Sequence, residues 1–509
     1  MAGSAFPHDA RPRDAVVQEL PIAVDEGPRV AEREQDRGVT PPSYRSEREV
    51  RDDRMKNQHY FQGGELLETG VAFVQYGLGL TPAGTLPYFI SPKTAGGNYY
   101  LFADTRARRW QGLANLYLPP KKWHGEHEVK VGIDTERLTY HADFQRMPIS
   151  FLREDQTLSR YSVFSGGGNS IAYNLETSGY IQDRWLATNR FLLEPGLRFD
   201  WDQIIRSPLL SPRLAGTYVL DSHGNTKLSA GVGIVYDATN LLLVARPSAG
   251  QRLDYFFDTT GTQVVITTFS ANTHTLQEPR YLNWSLGLEQ KLPGSIYLKA
   301  EFLQKNGTHG LVYDTANGQS GGNFVLQNTR EDRYHSFQLS LRRAFRHRYS
   351  VFGSYTRSSS RSNQVLDFNV DSPILSPQAA GPYPWDAPNR FLSWGLVPFF
   401  KLPIIHEFDI AYSLEARSGF PFNITNDLQQ LVEPPGTRRF PSYLSLNLFV
   451  EKRFHAFGRY WALRGGLENI TDHANPAVVN ADINSPQFLT FSAFQGRAFT
   501  TRIRLLGKK

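Results

Sequence analysis

From about Glu65 onward the chain alternates apolar and polar residues with a period of two, the pattern of strands whose two faces meet different surroundings. Leu282, Trp284, Leu286 and Leu288 interleave with Asn283, Ser285, Gly287 and Glu289. After the turn at Lys291–Gly294, the apolar set Ile296, Leu298, Ala300 and Phe302 interleaves with Tyr297, Lys299 and Glu301. Phe408, Ile410, Tyr412, Leu414 and Ala416 oppose Asp409, Ala411, Ser413, Glu415 and Arg417, so every charge of that stretch falls on one face. Near the end, Phe499, Thr501, Ile503 and Leu505 oppose Thr500, Arg502 and Arg504. A soluble sandwich shows the same alternation, but its strands usually run about 5 to 6 residues. These reach about 10, which is what a tilted strand needs to cross a bilayer.

The connections fall into two alternating classes. Short turns are predicted near Ala187–Arg190, Asp221–Thr226, Lys291–Gly294, Arg346–Arg348, Lys401–Ile404 and His455–Gly458. Long connections are predicted at Asp237–Arg280, Asn306–Asp332, Ser358–Asn389, Ser418–Pro441 and Thr471–Gln495. Short turns at one rim and long loops at the other are the layout of outer-membrane barrels, with the short turns on the periplasmic side. The fold class read from the pattern is all-β: a transmembrane antiparallel outer-membrane β-barrel with long extracellular loops. Roughly 16 to 18 strands are visible. Thr262–Ser270 with Leu253–Asp258 reads as an extracellular hairpin inside a long loop.

Composition sharpens this. No apolar run approaches the roughly 20 residues of a membrane helix, and aromatic residues make up 13% of the chain, with 24 Tyr and 33 Phe, as interfacial girdles require. The absence of cysteine removes thiol catalysis, disulfides and Cys-ligated metal sites together. Net charge is +6, yet 55 Lys and Arg are interspersed among 49 Asp and Glu. That mixture, without a basic stripe or recognition motif, argues against a nucleic-acid partner.

Residues 1–56 are dense in Arg, Asp, Glu and Pro and are expected to form a disordered polar leader or the remnant of a truncation, with the barrel domain spanning 57–509. Met1–Asp25 has no basic segment followed by an apolar core, so the expected location, the outer membrane, is read without a signal peptide and the chain is expected to be truncated at its N-terminus.

Several phrases carry a family resemblance. Tyr180-Ile181-Gln182-Asp183-Arg184-Trp185 followed by Arg190-Phe191-Leu192-Leu193-Glu194-Pro195-Gly196-Leu197-Arg198-Phe199-Asp200 resembles a signature hairpin of TonB-dependent receptors, in particular the Oar-like receptors of acidobacterial type. Ser211-Pro212-Arg213-Leu214, Leu228 to Asp237, and Gly466-Leu467-Glu468-Asn469-Ile470-Thr471-Asp472 are similar to phrases of later strands in that family. The resemblance implies a receptor and transporter, not an enzyme, taking up a scarce ligand such as a metal chelate or an oligosaccharide. It also implies a barrel of about 22 strands, of which the visible strands would be an incomplete part, and a plug and an energy-coupling box, for which nothing before Glu65 is a counterpart. Coupling to the TonB complex is therefore expected only where a plug is supplied. The alternative is a plugless fragment acting as a passive channel or structural surface protein. Expected partners are outer-membrane lipid and the barrel insertion machinery, although Leu505-Leu506-Gly507-Lys508-Lys509 departs from the aromatic ending of the family.

No catalytic constellation, cofactor site or metal site is predicted. His124-Gly125-Glu126-His127-Glu128 lacks the helical spacing of a zinc motif and reads as an exposed turn. Ser165-Gly166-Gly167-Gly168-Asn169-Ser170 has no helix after it to present amides to a phosphate. Ligand contacts are expected on the loops, where a rigid scaffold carries variable binding residues. The candidates are Tyr255, Phe256 and Phe257 in one loop and Tyr383 and Trp385 in another. Asp183, Arg198, Asp200, Arg213 and Glu468 lie on the polar face and are expected to pair within the lumen wall.

Overall fold

The computed structural model describes residues 44–92, 94–258, 261–316, 321–345, 349–398 and 408–507. Its wall is one antiparallel sheet in which each strand bonds to the next along the chain. The strands are β1 (Tyr44–Tyr60), β2 (Leu66–Pro82), β3 (Leu101–Tyr117), β4 (Glu126–Arg146), β5 (Asn169–Thr188) and β6 (Phe191–Asp202). They continue as β7 (Leu209–Val219), β8 (Thr226–Tyr236), β9 (Arg280–Leu292), β10 (Ile296–Thr315), β11 (Asn323–Phe345) and β12 (Tyr349–Ser362). The last are β13 (Asn389–Pro398), β14 (Asp409–Arg417), β15 (Tyr443–Ala456), β16 (Arg459–Glu468) and β17 (Ala498–Gly507).

Register fixes the two faces. Residues directly opposite in an antiparallel pair share a face. Ile181 stands opposite Leu197, Leu214 opposite Val232, and Tyr355 opposite both Leu339 and Phe391. These side chains, with Ile133, Leu286, Phe499 and Ile503, are large, apolar and exposed. A belt of exposed Leu, Ile, Val and Phe is a solubility hazard in water but is the surface a bilayer core demands. The other face is polar and largely paired within itself: Gln111 donates to Asp134 at 2.6 Å and Arg390 to Glu415 at 3.0 Å, and Arg109 pairs with Glu136. Of the charges expected on the polar face, Asp183 is not there: two residues along β5 from Ile181 it shares the lipid-facing side, towards the short-turn end of the strand, where it meets His127 of β4 at 2.6 Å. Arg198 instead meets Asp200 on its own strand at 2.7 Å, and Arg213 donates to Gln182 at 3.0 Å.

The short turns lie at one rim. Asn189–Arg190 joins β5 to β6, Pro293–Ser295 joins β9 to β10, and Phe457–Gly458 joins β15 to β16. In the turn between β7 and β8 the Asp221 carboxylate accepts from the backbone N–H of His223 at 2.8 Å, Asn225 at 3.1 Å and Thr226 at 2.5 Å. The backbone donor at Asn225 above all, with Thr226 and His223 helping, outweighs the opposing effect of burial and holds this carboxyl well down, at about 2. The predicted turns at Arg346–Arg348 and Lys401–Ile404 lie outside the described residues.

Two further expectations need correction. Tyr44–Lys56, assigned to a structureless leader, is part of β1 and pairs with β2 residue for residue, from Tyr44 opposite Pro82 to Tyr60 opposite Leu66. Ladder bonding is made by the backbone and does not need an apolar face. The charges compensate locally, with Arg51 to Asp53 at 2.6 Å, Arg54 to Asp52 at 2.7 Å and Lys56 to Glu68 at 2.7 Å. The rest of the expected leader, residues 1–43, lies outside the described residues. Second, Asn306–Asp332 is not a long loop: β10 and β11 continue through it to Thr315 and from Asn323. Leu311, Tyr313, Phe324 and Leu326 there bury themselves against the loops above, so the hairpin rises beyond the membrane as a pillar.

Among the described residues β1 bonds only to β2, and β17 only to β16. Both run from the long-loop rim to the short-turn rim, so they are parallel to each other. An antiparallel closure takes an odd number of strands between them, and bacterial barrels have an even total.

Two predictions follow from the faces and the turn. Leu286→Arg, on the lipid face, should lower the stability of the chain folded in lipid vesicles by about 2–4 kcal/mol, whereas Ser285→Arg, on the lumen face, should cost far less in the same denaturant titration. Asp221→Ala should speed amide exchange at His223, Asn225 and Thr226 while leaving β7 and β8 protected.

Candidate functional site

Above the long-loop rim the connections do not project separately. They pack into one layer with two hydrophobic clusters. One gathers Leu80, Tyr88, Tyr99, Tyr100, Leu101 and Ile149, and the other Phe269, Leu276, Tyr313, Phe324, Leu366 and Phe368, with Phe164 packed against both. The predicted hairpin is present: Gln251–Asp258 pairs with Gly261–Ser270, Leu253 standing opposite Ile266. Its other edge pairs with Leu158–Ser165 from the neighbouring loop, and its end runs parallel to the start of β11 through Thr268 and Asn323.

Buried arginines stitch this layer together. Arg252 lies fully buried beside Asp254, donating from Nε at 2.9 Å, while its other nitrogens reach the Asp371 carbonyl at 2.6 Å and Ser162 Oγ at 2.9 Å. Arg146, at the end of β4, grips the Asp371 carboxylate with two nitrogens at 2.8 and 3.0 Å, and Tyr100 donates to the same group at 3.1 Å. Burial alone would raise the Asp371 carboxyl; Arg146, followed by Tyr100 and Arg252, outweighs it and holds the group below its ordinary range. Arg246 donates to Asp367 at 3.0 Å and to the Phe368 carbonyl. Three arginines, one from the end of β4 and two from the connection between β8 and β9, thus converge on residues 367–371. Arg160 stacks 3.6 Å over Phe151, and burial, with Arg252 beside it, pushes its guanidinium down to about 9.

The predicted ligand residues are dispersed through this layer. Phe256 is buried, and Tyr255 and Phe257 beside it are half-buried. Tyr383 is half-buried, donates to Asp332, and stacks on Trp385 at 4.6 Å. Trp385 keeps 62% of its surface open. The structure therefore separates the Tyr255 group, which is mostly packing, from the Tyr383–Trp385 pair, whose outer ring faces solvent. Sequence reading missed the arginines. A usable signal existed: Arg252 and Asp254 sit two apart in an otherwise apolar strand, hence on one face, where each can neutralise the other. His127, from the His/Glu cluster, has both ring nitrogens engaged, at 2.6 Å from Asp183 and 2.9 Å from the Trp123 carbonyl.

Below the loops, a hollow of about 310 Å³ opens in the wall where Gly231 and Gly233 leave it bare, lined by Gln182, Glu194, Arg213 and Asn283. Gln182, Arg213, Gly233 and Asn283 share the polar face by register. The arrangement offers hydrogen-bonding groups along the inside of the wall and no nucleophile aligned with a base.

A wall with one lipid face, one polar face and a packed loop layer defines an outer-membrane β-barrel protein. The sequence model of the family described as TonB dependent receptor-like, beta-barrel matches residues 28–470, and the chain belongs to that family. The family comprises receptors and transporters of the Gram-negative outer membrane. No relative matches among curated proteins. Among solved structures, the chain is similar to the outer membrane transporter YddB from Escherichia coli, with TM-score 0.60 and 14% identity over 90% of this chain and 63% of that one. It is also similar to the ferric enterobactin receptor PfeA from Pseudomonas aeruginosa in complex with enterobactin, with TM-score 0.61 and 14% identity over 91% of this chain and 62% of that one. The siderophore receptor PirA from Acinetobacter baumannii gives TM-score 0.58 and 14% identity over 91% and 62%. The chain thus spans less than two thirds of the length of these structures, and at such identity the likeness is one of fold.

Removing the arginine at the centre of the layer tests its role. Arg252→Ala takes the nearest cation from the buried Asp254, leaving it Ser162 Oγ and the more distant Arg160 at 3.8 Å, and should cost up to about 3–5 kcal/mol. Limited proteolysis should then cut within residues 237–279 and 363–388 while the wall strands stay resistant.

Proposed function

We propose that this chain forms the wall and loop layer of an outer-membrane receptor that captures a scarce ligand, a metal chelate or an oligosaccharide, for uptake driven by the TonB complex through a plug. The Oar-like resemblance of the Tyr180–Asp200 hairpin supports the same reading. The observation that carries it is the combination of a polar inner wall with a tightly packed loop layer bearing one open aromatic pair, Tyr383 and Trp385. A stacked pair of this kind offers a rigid, amphipathic contact at low entropic cost. The described residues hold only wall and loops, so the plug is supplied from outside them. Outer-membrane lipid covers the apolar belt, and the barrel insertion machinery delivers the chain to it.

Ferric catecholates, ferric hydroxamates and a linear oligosaccharide should be titrated against the folded chain, with tryptophan fluorescence as the signal. The reading expects saturable binding of one class, weakened about tenfold or more by Trp385→Ala, as for an aromatic anchor, and little changed by Phe257→Leu. A folded chain that binds none of them, and conducts ions steadily in a planar bilayer, would replace this reading with that of a passive channel.

A further inference from the structure

The long connection 237–279 leaves β8, folds inward and returns to β9, and its two ends meet the same wall residue. A short helix, α1 (Leu241–Ala245), packs on β5 and β4, although β6 and β7 lie between those strands and β8. Tyr313 of β10 donates to the Leu243 carbonyl at 2.7 Å from the opposite side. The connection therefore bridges from one stretch of wall to another.

Its ends are fastened at Asp202, the last residue of β6. Asp202 Oδ1 accepts from the backbone of Ile204 at 2.8 Å and Ile205 at 2.6 Å, and Oδ2 accepts from Asn174 Nδ2 at 2.5 Å. Thr239 Oγ1 stands 2.7 Å from that same Oδ2 and 2.7 Å from Glu278 Oε1. A hydroxyl carries one hydrogen. The other hydrogen bonds of Asp202 come from donors, and the Glu278 carboxyl stands within reach of it as well, so of the two acids Asp202 is the carboxylate and accepts the threonine hydrogen. The second short contact is then a hydrogen bond only if Glu278 carries a proton and donates it to Thr239. Glu278 Oε2 has no hydrogen-bond partner and the residue is 4% exposed, so nothing offers the ionised form a donor in place of water.

We propose that connection 237–279 is a proton-held lid: protonated Glu278, through Thr239, ties both of its ends to Asp202, and loss of that proton releases them from the wall. The electrostatic surroundings agree. Burial pushes the Glu278 carboxyl up to about 8, and the Asp202 and Glu176 carboxylates push the same way, against the help that a Thr239 hydroxyl turned towards the ionised form would give. Behind Glu176 stand Glu136 and Asp134 of β4, with Arg109 of β3 and Arg198 of β6, so the acids packed here outnumber the arginines that face them. A carboxyl raised in the docked state binds its proton more tightly there than when released. Docking is thus fully supported below the ordinary glutamate range and weakens as pH climbs towards about 8.

Amide exchange of the full chain, folded in detergent micelles and measured from pH 5 to pH 9 with rates divided by the intrinsic rate at each pH, tests this. Residues 238–250 should exchange up to about tenfold faster per pH unit through the window and level off above it. Glu278→Gln keeps a neutral donor and acceptor and should flatten the profile with the lid docked throughout. Thr239→Val removes the bridge and should show fast exchange already at the acid end. A heat-modifiable gel band confirms folding of each variant, and the threonine variant carries the test alone if the glutamine variant does not fold. A flat wild-type profile, a glutamine variant with the wild-type slope, or a valine variant as protected as wild type in acid would each overturn the proposal.

Discussion

A backbone in hydrocarbon has no water to bond to, so every N–H and C=O that crosses the bilayer must find a partner within the protein. The rest of this structure follows from that constraint. Neighbour-to-neighbour antiparallel pairing from β1 to β17 satisfies the interior of the sheet and leaves unpaired backbone on the outer edges of two strands alone among the described residues. Because those edges run in the same direction, their pairing needs further antiparallel strands in odd number between them.

Once the backbone is paired, side chains are free to divide by face, and they do so with little exception. Exposed Leu286 and Leu339 lie on one side, and the Gln111–Asp134 and Arg390–Glu415 contacts on the other. The loop layer obeys different physics. It sits in water, so its order comes from buried apolar clusters and from charges neutralised in place, such as Arg252 with Asp254 and Arg146 with Asp371. Burying such pairs stabilises little in itself, but each fixes one loop relative to another because a misplaced partner leaves a bare charge in the interior. Binding and gating are best built on such a layer, since it can be loosened locally without opening the wall.

The wall was legible in the sequence because its period of two is a direct image of its two surroundings. The strand β1 was not: with nine charges in the run YRSEREVRDDRMKNQHY it has no apolar face, and a backbone ladder leaves no mark on composition. The rise of β10 and β11 was missed for a related reason, since Leu311, Tyr313, Phe324 and Leu326 bury against loops remote in sequence. The aromatic candidates were read by type, and burial then divided them: Phe256 became core and Trp385 stayed open. The Asp202–Thr239–Glu278 contact joins residues 37 and 39 positions apart, and no local pattern announces it.

The central claim is that one face of this sheet meets lipid. The chain has no cysteine, so a single introduced thiol can be spin-labelled without background. Labels placed one at a time from Arg280 to Leu292 in the folded chain in vesicles, with oxygen accessibility as the readout, test the claim most directly. The account predicts accessibility that alternates with a period of two and peaks at Leu282, Leu286 and Leu288. Accessibility without that period, or with its peaks at Asn283, Ser285 and Gly287, would contradict it.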